Sequence, residues 1–220
     1  MLFPSFICVD NFFDNPDEVV NLSKKFEYEN KTHCPGKRTK ELHELDWAFF
    51  NWVNLKIASV LYPNNLNDLR FKSFTYFQKV NKLQHDSWVH TDNKFKATAI
   101  VYLNKEDTAG TSIFAPKDFR STLVQKYTDT KYEYFTKEEN RTKELEEKVG
   151  KAKEDNNQNF QKTFSVEGIY NRLVIFDGNS YHAANPMTNS NERLTLITFF
   201  DDISLEEKVI KYPIPTMRAI

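Results

Sequence analysis

The fold of this chain is decided by residues 173–182, which read Leu173-Val174-Ile175-Phe176-Asp177-Gly178-Asn179-Ser180-Tyr181-His182. Four apolar residues in succession are typical of a strand that is covered on both faces. The Asp177-Gly178 pair is a turn signal that ends this strand, so His182 follows closely after a strand and its turn. Arg193 comes eleven residues after His182 and opens a second apolar run, residues 194–200. If a turn joins these two segments, Arg193 returns to the neighbourhood of His182.

A second motif, His90-Thr91-Asp92, precedes an apolar run at residues 99–103. We expect it at the end of a strand, where residues two apart point to the same face and place an imidazole beside a carboxylate. His182 would add a second imidazole. Two histidines and one carboxylate on one face of a metal leave the opposite positions open, as in the non-haem Fe(II) oxygenases. A buried Arg193 nearby needs an anion, and a dicarboxylate co-substrate would supply one.

Each of these residues also has a purely structural interpretation. Taken singly, the three candidate ligands could serve only as hydrogen-bonding groups, because short motifs of this kind also arise by chance. Arg193 could form a surface ion pair with Glu192 or an aspartate. His85-Asp86 offers another candidate metal pair, but it lies in a predicted polar loop with no strand phase that relates it to His182. The complete set, in this order along the chain, favours the metal site.

Composition limits the class of protein. The chain has 220 residues, enough for one domain with a sizeable core. A net charge of −1 gives no electrostatic reason to expect a nucleic-acid or anionic-membrane partner. Two cysteines do not make a disulfide framework, so a reducing compartment is expected. With no apolar run of membrane-spanning length and no signal-peptide pattern, we expect a soluble, cytoplasmic protein.

The remaining pattern predicts a mainly β fold with supporting α-helices. Asn15-Pro16 is a helix start, and residues 41–61 carry a helical apolar stripe. From residue 71 the pattern changes to short strands, as in an antiparallel sandwich or jelly roll. We expect a single domain, 1–220, whose parts are an N-terminal strand and supporting helices (1–69), a jelly-roll core (70–200), an insertion (117–163) and a tail (201–220). A solvated helix is expected over about residues 137–155 of the insertion, and a lid or dimer arm is the alternative.

At these residues the sequence resembles the Fe(II)/2-oxoglutarate-dependent dioxygenases, on the prolyl-4-hydroxylase-like side of that superfamily. The matching positions are His90-x-Asp92, Tyr102 in Ile100-Val101-Tyr102-Leu103-Asn104, Gly110-Thr111-Ser112-Ile113-Phe114, Phe176-Asp177-Gly178 ahead of His182, and Arg193-x-Thr195. They cover roughly residues 70–200, interrupted by the insertion. The resemblance implies a double-stranded β-helix, the cupin-like jelly roll. The opening residues 9–16 and the phrase Asn171-Arg172-Leu173-Val174 also look like an uncharacterised subgroup associated with phages and bacteria.

The resemblance also implies residue roles. The implied iron ligands are His90, Asp92 and His182. The implied 2-oxoglutarate contacts are Arg193, Tyr102, Thr195 and Tyr76. Arg193 would pair with the distal carboxylate, and Thr195 would share its face of the strand. The family's prolyl hydroxylases usually carry a glycine-containing loop between a tyrosine and the first histidine, whereas no glycine lies between Tyr76 and His90 here.

The implied activity uses Fe(II), 2-oxoglutarate and O₂, and couples decarboxylation of 2-oxoglutarate to succinate with hydroxylation of a C–H bond. The substrate would be a protein side chain, a peptide, an amino acid or another small molecule. The alternative is a metal-binding jelly-roll protein without oxygenase activity, either a cupin-type isomerase or a phage structural or binding module that works through the insertion. Neither a structural module nor an isomerase needs an anion clamp at Arg193, which favours the oxygenase.

Overall fold

The computed structural model describes residues 6–30, 34–63, 69–81, 87–106, 108–118, 133–134, 142–187 and 192–205. The helices and strands are β1 (Phe6–Val9), α1 (Pro16–Ser23), β2 (Glu29–Asn30), β3 (Lys37–Arg38), α2 (Leu42–Leu45), α3 (Trp47–Leu61), β4 (Leu69–Asn81), β5 (Ala97–Tyr102), β6 (Thr108–Pro116), α4 (Lys143–Asn157), β7 (Phe160–Gly168), β8 (Leu173–Asp177), β9 (Tyr181–Ala184) and β10 (Glu192–Leu205). The predicted mainly β architecture with N-terminal supporting helices is confirmed.

The strands form two antiparallel sheets. The larger sheet has the order β1-β8-β5-β10-β4-β3-β2, and the smaller has the order β7-β6-β9. The order of strands in the larger sheet differs from their order in the chain, since β8 lies between β1 and β5, and β10 lies between β5 and β4. This arrangement brings the two apolar runs of the sequence analysis, now β8 and β10, to either side of β5.

Alternation along the strands of the larger sheet divides the core in two. On β10, Leu194 and Leu196 pack with the helices, whereas Ile197 and Phe199 pack in the space between the sheets. Strand β5 alternates in the same way, because its residues 97, 99 and 101 belong to the helical side and 100 and 102 to the inner side. The inner side is closed by residues of the smaller sheet such as Ile113. The candidate site residues on β5 and β10 therefore face the space between the sheets.

The helical layer covers the other face of the larger sheet. The sequence predicts one helix over residues 41–61, but the structure has two, α2 and α3. They are separate because the Asp46 side chain accepts a hydrogen bond from the Phe49 backbone N–H at 2.9 Å and so caps the start of α3. The predicted helix start at Asn15-Pro16 is confirmed, although the Asn15 side chain makes no capping bond.

The insertion contains the predicted helix at slightly different bounds, Lys143–Asn157 instead of about 137–155. One face of this helix is buried rather than solvated, since Leu145, Val149 and Ala152 pack against Trp88. The helix therefore rests on the segment that leads into His90. The predicted tail is also shorter, because β10 continues to Leu205.

Several predictions fall on residues outside the described ranges. They are the His85-Asp86 pair, the turn before β10, most of residues 117–141 and the tail beyond residue 205. No helix in the described part of the chain combines the length and the hydropathy that crossing a bilayer requires.

Candidate metal centre

The two candidate histidines face each other across a single β-bridge. The backbone N–H of His90 donates to the carbonyl of His182 at 3.0 Å, and the N–H of His182 donates to the carbonyl of His90 at 2.8 Å. His182 lies on β9, whereas His90 is an isolated bridge residue rather than part of the expected strand. The ring centroids are 4.3 Å apart. The backbone pairing itself thus brings the imidazoles together.

Asp92 reaches the same place from a turn. The prediction that His90 and Asp92 share one face of a regular strand is wrong, because residues 91 and 92 leave the strand after the bridge. The Asp92 N–H instead donates to the Gly178 carbonyl at 2.7 Å, and the Asp92 carbonyl accepts from the Phe95 N–H at 2.8 Å. Docking of this turn on Gly178 sets the direction of the carboxylate.

The three side chains converge on one point. The Asp92 carboxylate lies 3.4 Å from Nε2 of His182 and 3.9 Å from Nε2 of His90. One donor atom from each residue falls within 4.8 Å of the other two. Donors at neighbouring positions of one first-row metal ion lie about 3 Å apart, so an ion can bind here after small side-chain movements.

Both imidazoles are held in the tautomer that metal binding requires. Nδ1 of His90 donates to the Trp88 carbonyl at 2.8 Å, and Nδ1 of His182 donates to the Ser180 carbonyl at 2.9 Å. A carbonyl can only accept, so each Nδ1 carries a proton, and each Nε2, which lies on the side of Asp92, is the ring nitrogen left to bind a metal. Hydrogen bonds of this kind orient a ligand and raise its basicity.

Asp92 is kept ionised by its surroundings. Burial alone would raise the pKa of the carboxyl, but the positive charges of protonated His182 and His90, the Thr98 hydroxyl and the charge of Arg38 together lower it. Thr98 on β5 donates to the carboxylate at 2.8 Å. A carboxylate that stays charged and is fixed on one oxygen is a ready metal ligand.

Gly178 allows the turn that carries Asp92 to approach closely. A Cβ at this position would lie 2.0 Å from the Phe95 carbonyl oxygen and 2.9 Å from the Asp92 carbonyl oxygen. No side chain fits at such distances, so the sequence signal Asp177-Gly178 marks a contact between two backbone segments as well as a turn.

We expect Gly178→Ala to displace the Asp92 turn and weaken metal binding by about tenfold or more, with a loss of about 1–3 kcal/mol in the free energy of unfolding. Metal titration and urea unfolding measure the two effects. Gly150→Ala is the matched control. Its Cβ meets nothing within 4 Å on an exposed part of α4, so metal affinity should stay the same and stability should not fall. Equal metal affinities in the two variants would contradict this explanation of Gly178.

The C-terminal end of α4 supports the His90 ligand. The side-chain oxygen of Asn157 accepts from the Val89 N–H at 2.9 Å, and its amide donates to the Ser87 carbonyl at 3.0 Å. Asn156 donates to the Val89 carbonyl at 3.0 Å. These side-chain amides satisfy backbone groups of residues 87 and 89, as a neighbouring strand would do. The same segment includes Trp88, whose carbonyl orients His90.

Asn157→Ala should therefore reduce metal affinity by about tenfold without touching a ligand, because the backbone groups of residues 87 and 89 lose their partners. Isothermal titration with Ni(II) measures the change. Asn159→Ala is the control, since the hydrogen bonds of that side chain to described residues go to the α4 carbonyls of residues 155 and 156. An unchanged Ni(II) affinity in Asn157→Ala would show that α4 plays no part in placing His90.

Arg193 lies on the inner face of β10 and is buried, with 6% of its surface exposed. Its guanidinium sits over the Tyr102 ring at 5.3 Å, and its buried Nε has no hydrogen-bond partner. Burial lowers the pKa of the guanidinium, although the neighbouring Tyr102 opposes this shift. The alternative surface ion pair with Glu192 is not what the structure shows, because Glu192 pairs with Lys79 at 3.5 Å. A buried cation without an acidic partner is unfavourable, so we expect an anion from outside the described chain to bind beside Arg193.

Two of the other predicted co-substrate residues lie beside Arg193. Thr195 is two residues further along β10 and directly opposite Tyr102 on β5. The Tyr102 hydroxyl shares a 2.7 Å hydrogen bond with Thr111 of β6, a residue that joins this group from the smaller sheet. Thr98 and Tyr102 both face inward from β5, so one strand connects the metal ligands with the Arg193 group.

Tyr76 also faces inward, but its hydroxyl is directed elsewhere. It donates to the Glu41 carboxylate at 3.1 Å, and burial together with that carboxylate raises the tyrosine pKa. Its ring lies beneath the guanidinium of Arg38 at 5.6 Å. The structure thus brings the Tyr76 ring into the interior and places the hydroxyl at the edge near α2.

The sequence analysis gives no role to three residues of this region, Thr98, Thr111 and Arg38, although Thr111 lies in the quoted Gly110–Phe114 motif. Thr98 could have been found from its position, since it lies four residues before Tyr102 and therefore on the same face of β5. Arg38 carries no signal in the sequence. Its position depends on the two-residue strand β3, which lies between β4 and the edge strand β2.

Residues 4–200 match the model of a family of unknown function, DUF6445. The chain belongs to this family. The match spans both candidate motifs and the insertion of this DUF6445 member. No curated protein matches the chain. Nothing in these comparisons identifies the phage-associated subgroup, so that placement stays a prediction.

Solved structures show what the fold of this DUF6445 chain is similar to. HygX from Streptomyces hygroscopicus, in a structure with nickel, 2-oxoglutarate and hygromycin B bound, aligns with a TM-score of 0.53 at 8% identity over 90% of this chain and 82% of that chain. A prolyl hydroxylase from Trichoplax adhaerens, in complex with a hypoxia inducible factor peptide fragment, aligns with a TM-score of 0.50 at 14% identity over 89% of this chain and 83% of that chain. Neighbours of this kind share the jelly roll, and the predicted fold is confirmed.

A third structure is a prolyl 4-hydroxylase from Phytophthora capsici, at 16% identity and a TM-score of 0.48. The alignment covers 90% of this chain and 58% of that one, so this chain spans less than two thirds of that protein.

Proposed function

We propose that this chain is an Fe(II)- and 2-oxoglutarate-dependent oxygenase of the prolyl-4-hydroxylase-like kind. It would work as a single domain that hydroxylates a C–H bond of a protein side chain, a peptide, an amino acid or another small molecule, with O₂ as oxidant and decarboxylation of 2-oxoglutarate to succinate. One observation carries the proposal. Two imidazole Nε2 atoms and a carboxylate converge in the same interior that buries the Arg193 guanidinium, which has no acid partner among the described residues.

The donor set fits iron. His90, Asp92 and His182 supply two neutral nitrogens and one charged oxygen, the combination used by non-haem Fe(II) oxygenases. The set includes no thiolate, and its imidazoles are locked in the binding tautomer by backbone carbonyls. Three protein ligands leave room on the ion for a co-substrate.

The Arg193 group fits a carboxylate of 2-oxoglutarate. Its guanidinium is buried and lies over the Tyr102 ring, and Thr195 is on the same face of β10. A guanidinium binds a carboxylate through two parallel hydrogen bonds, and Nε is one of the donors available for them. The anion would relieve the cost of burying the charge. HygX, which shares the fold, has 2-oxoglutarate bound in its structure.

When bound, iron and 2-oxoglutarate supply the oxidising chemistry, and the protein supplies position and exclusion of water. Trp88 and Ser180 carbonyls hold the histidine protons on Nδ1, and Thr98 fixes one oxygen of Asp92. Arg193 orients the co-substrate from the opposite end of β5. Apolar side chains of the inner face, Ile100, Val174, Phe176, Ile197 and Phe199, keep water away from this space.

The test is an anaerobic titration of the metal-free protein with Fe(II) and then 2-oxoglutarate. Chelation of the iron by 2-oxoglutarate gives a visible charge-transfer absorption band, and the proposal predicts this band. On admission of O₂, succinate should appear even without the primary substrate, at a slow rate. Bound iron without the band would overturn the oxygenase assignment. It would favour the metal-binding jelly-roll protein without oxygenase activity, such as a cupin-type isomerase.

A further inference from the structure

Arg38 is a second cation that faces the interior of the site. It lies on β3, between the edge strand β2 and β4, and is paired with Gln78 of β4. Its guanidinium carbon is 5.6 Å from the centroid of the Tyr76 ring and 5.3 Å from that of Phe199. Phe199 is directly opposite Thr98 across the β10–β5 pair, and Thr98 donates to Asp92. Arg38 therefore lies on the metal side of the interior, away from Arg193.

The backbone that carries Arg38 is firmly anchored. Gly36 has a φ of 69°, and a Cβ there would lie 2.0 Å from the Lys79 carbonyl oxygen, so only glycine allows this approach to β4. The Gln78 amide donates to the Pro35 carbonyl at 2.6 Å. On the other side, the Thr39 N–H donates to the Phe77 carbonyl at 3.0 Å, and the Thr39 hydroxyl accepts from the Phe77 N–H at 3.2 Å. The guanidinium thus extends from a fixed base.

No acidic side chain among the described residues forms an ion pair with Arg38, although its charge lowers the pKa of Asp92 and Glu29 lies opposite it on β2. The polar contact of Arg38 among the described residues is a long hydrogen bond of 3.4 Å from Nη2 to the Gln78 side-chain oxygen. Its Nε is buried and has no partner. Glu41 is engaged by Tyr76 and His43. A half-buried cation that is held rigidly and forms no ion pair is a candidate binding site for an anion. The aromatic rings beside the guanidinium shield it from water without neutralising its charge.

We propose that Arg38 binds a carboxylate of the primary substrate, so that the substrate class is a molecule with a carboxylate near the carbon to be hydroxylated. This inference rests on the proposed function. When the site is loaded, Fe(II) and Arg193 together supply three positive charges. The Asp92 carboxylate and the two carboxylates of 2-oxoglutarate supply three negative charges, which balance them. The charge of Arg38 is then left over, and one negative charge on the substrate balances it.

A carboxylate fits better than a phosphate. Tyr76 and Phe199 flank the guanidinium with aromatic rings, which leaves the planar edge of the fork as its binding face. That edge matches a planar carboxylate with a single charge, whereas a phosphate brings nearly two charges to a place with one cation.

The experiment uses acetate as the probe and Mn(II) in place of iron, because the same ligands accept Mn(II) and its unpaired electrons speed the relaxation of nearby nuclei. The protein is loaded with Mn(II) and saturating 2-oxoglutarate, and relaxation of the acetate methyl protons is measured by NMR. The wild type should enhance relaxation in a saturable way. Arg38→Gln should weaken acetate binding by about tenfold, the size of a charge-assisted hydrogen-bonded contact. Lys37→Gln, an exposed neighbour on β3, should behave as the wild type.

Three outcomes overturn the inference about Arg38. The first is a relaxation enhancement of acetate in Arg38→Gln equal to that of the wild type. The second is a wild-type complex that holds Mn(II) and 2-oxoglutarate but does not enhance the relaxation of acetate. The third is a stronger enhancement for inorganic phosphate than for acetate. A loss of 2-oxoglutarate affinity in Arg38→Gln would assign Arg38 to the co-substrate and also overturn it. If the wild type does not bind 2-oxoglutarate at all, the proposed function itself fails, which is a separate result seen before acetate is added.

Competition then identifies the source of the carboxylate. Displacement of acetate by free amino acids, and not by their amides, indicates an amino-acid substrate. Displacement by peptides with a free C-terminus or acidic side chains indicates a peptide or protein substrate.

Discussion

Replacing His182 by alanine is expected to weaken Fe(II) binding by more than about a hundredfold, because the variant loses a whole ligand rather than a group that orients one. The wild type should gain thermal stability when metal is added, since an ion that binds only the folded state stabilises it. The variant should gain none. Equilibrium dialysis with iron under anaerobic conditions measures the affinity, and the metal-dependent rise in Tm measures the coupling to folding.

Two controls make this result specific. His43→Ala removes an exposed histidine that pairs with Glu41 at 3.0 Å on the helical layer, and metal binding should not change. His182→Ala also leaves a cavity beside Phe176, whose ring centroid is 4.5 Å from that of the imidazole. Free imidazole added to the variant can fill this cavity and should restore part of the metal affinity. Iron binding that survives in His182→Ala at wild-type strength would refute the three-ligand centre.

Replacing Arg193 by leucine should move two measurements in opposite directions. The free energy of unfolding of the metal-free protein should rise by about 1–3 kcal/mol, because an apolar side chain replaces a buried charge that has no acid partner in the described chain. The affinity for 2-oxoglutarate should fall by about 2–5 kcal/mol, roughly thirtyfold to several thousandfold, since a desolvated charge pair is lost. Urea unfolding and calorimetric titration of the Ni(II)-loaded protein measure the two quantities.

Arg172→Leu is the matched control for Arg193. Arg172 binds Asp10 through two of its nitrogens, at 2.5 and 3.0 Å. Its loss should lower stability slightly and leave 2-oxoglutarate binding unchanged. A variant at position 193 that is destabilised while it still binds 2-oxoglutarate would show that Arg193 serves the fold and not the co-substrate.

The pattern of residue types predicted much of this molecule. The apolar runs and their alternation predicted the mainly β jelly roll. The site was predicted from the order of four residues along the chain, His90, Asp92, His182 and Arg193. The turn that carries Asp92 could not be predicted in the same way. Its position depends on a backbone contact with Gly178, eighty-six residues further along the chain.

The direction of the Tyr76 side chain shows the same limit. Its face of β4 follows from alternation, but the partner of its hydroxyl is Glu41, which lies ahead of α2 and reaches the sheet only in the folded chain. The break between α2 and α3 depends on a single capping side chain within a continuous apolar stripe. The direction of the Tyr76 hydroxyl and the break between α2 and α3 each have alternatives that the local sequence allows equally well. Tertiary packing selects the arrangement that the structure has.

Strand β10 can tolerate few changes in length. Its inner face supplies Arg193, Thr195 and Phe199 in sequence, while its outer face packs on the helices. Adding or deleting a single residue between them would exchange the two faces and turn the guanidinium into the helical layer. The bulge between Phe200 and Asp202 lies just beyond the last of these inner residues. Changes in strand length among members of the family should therefore be confined to that bulge and the segment after it.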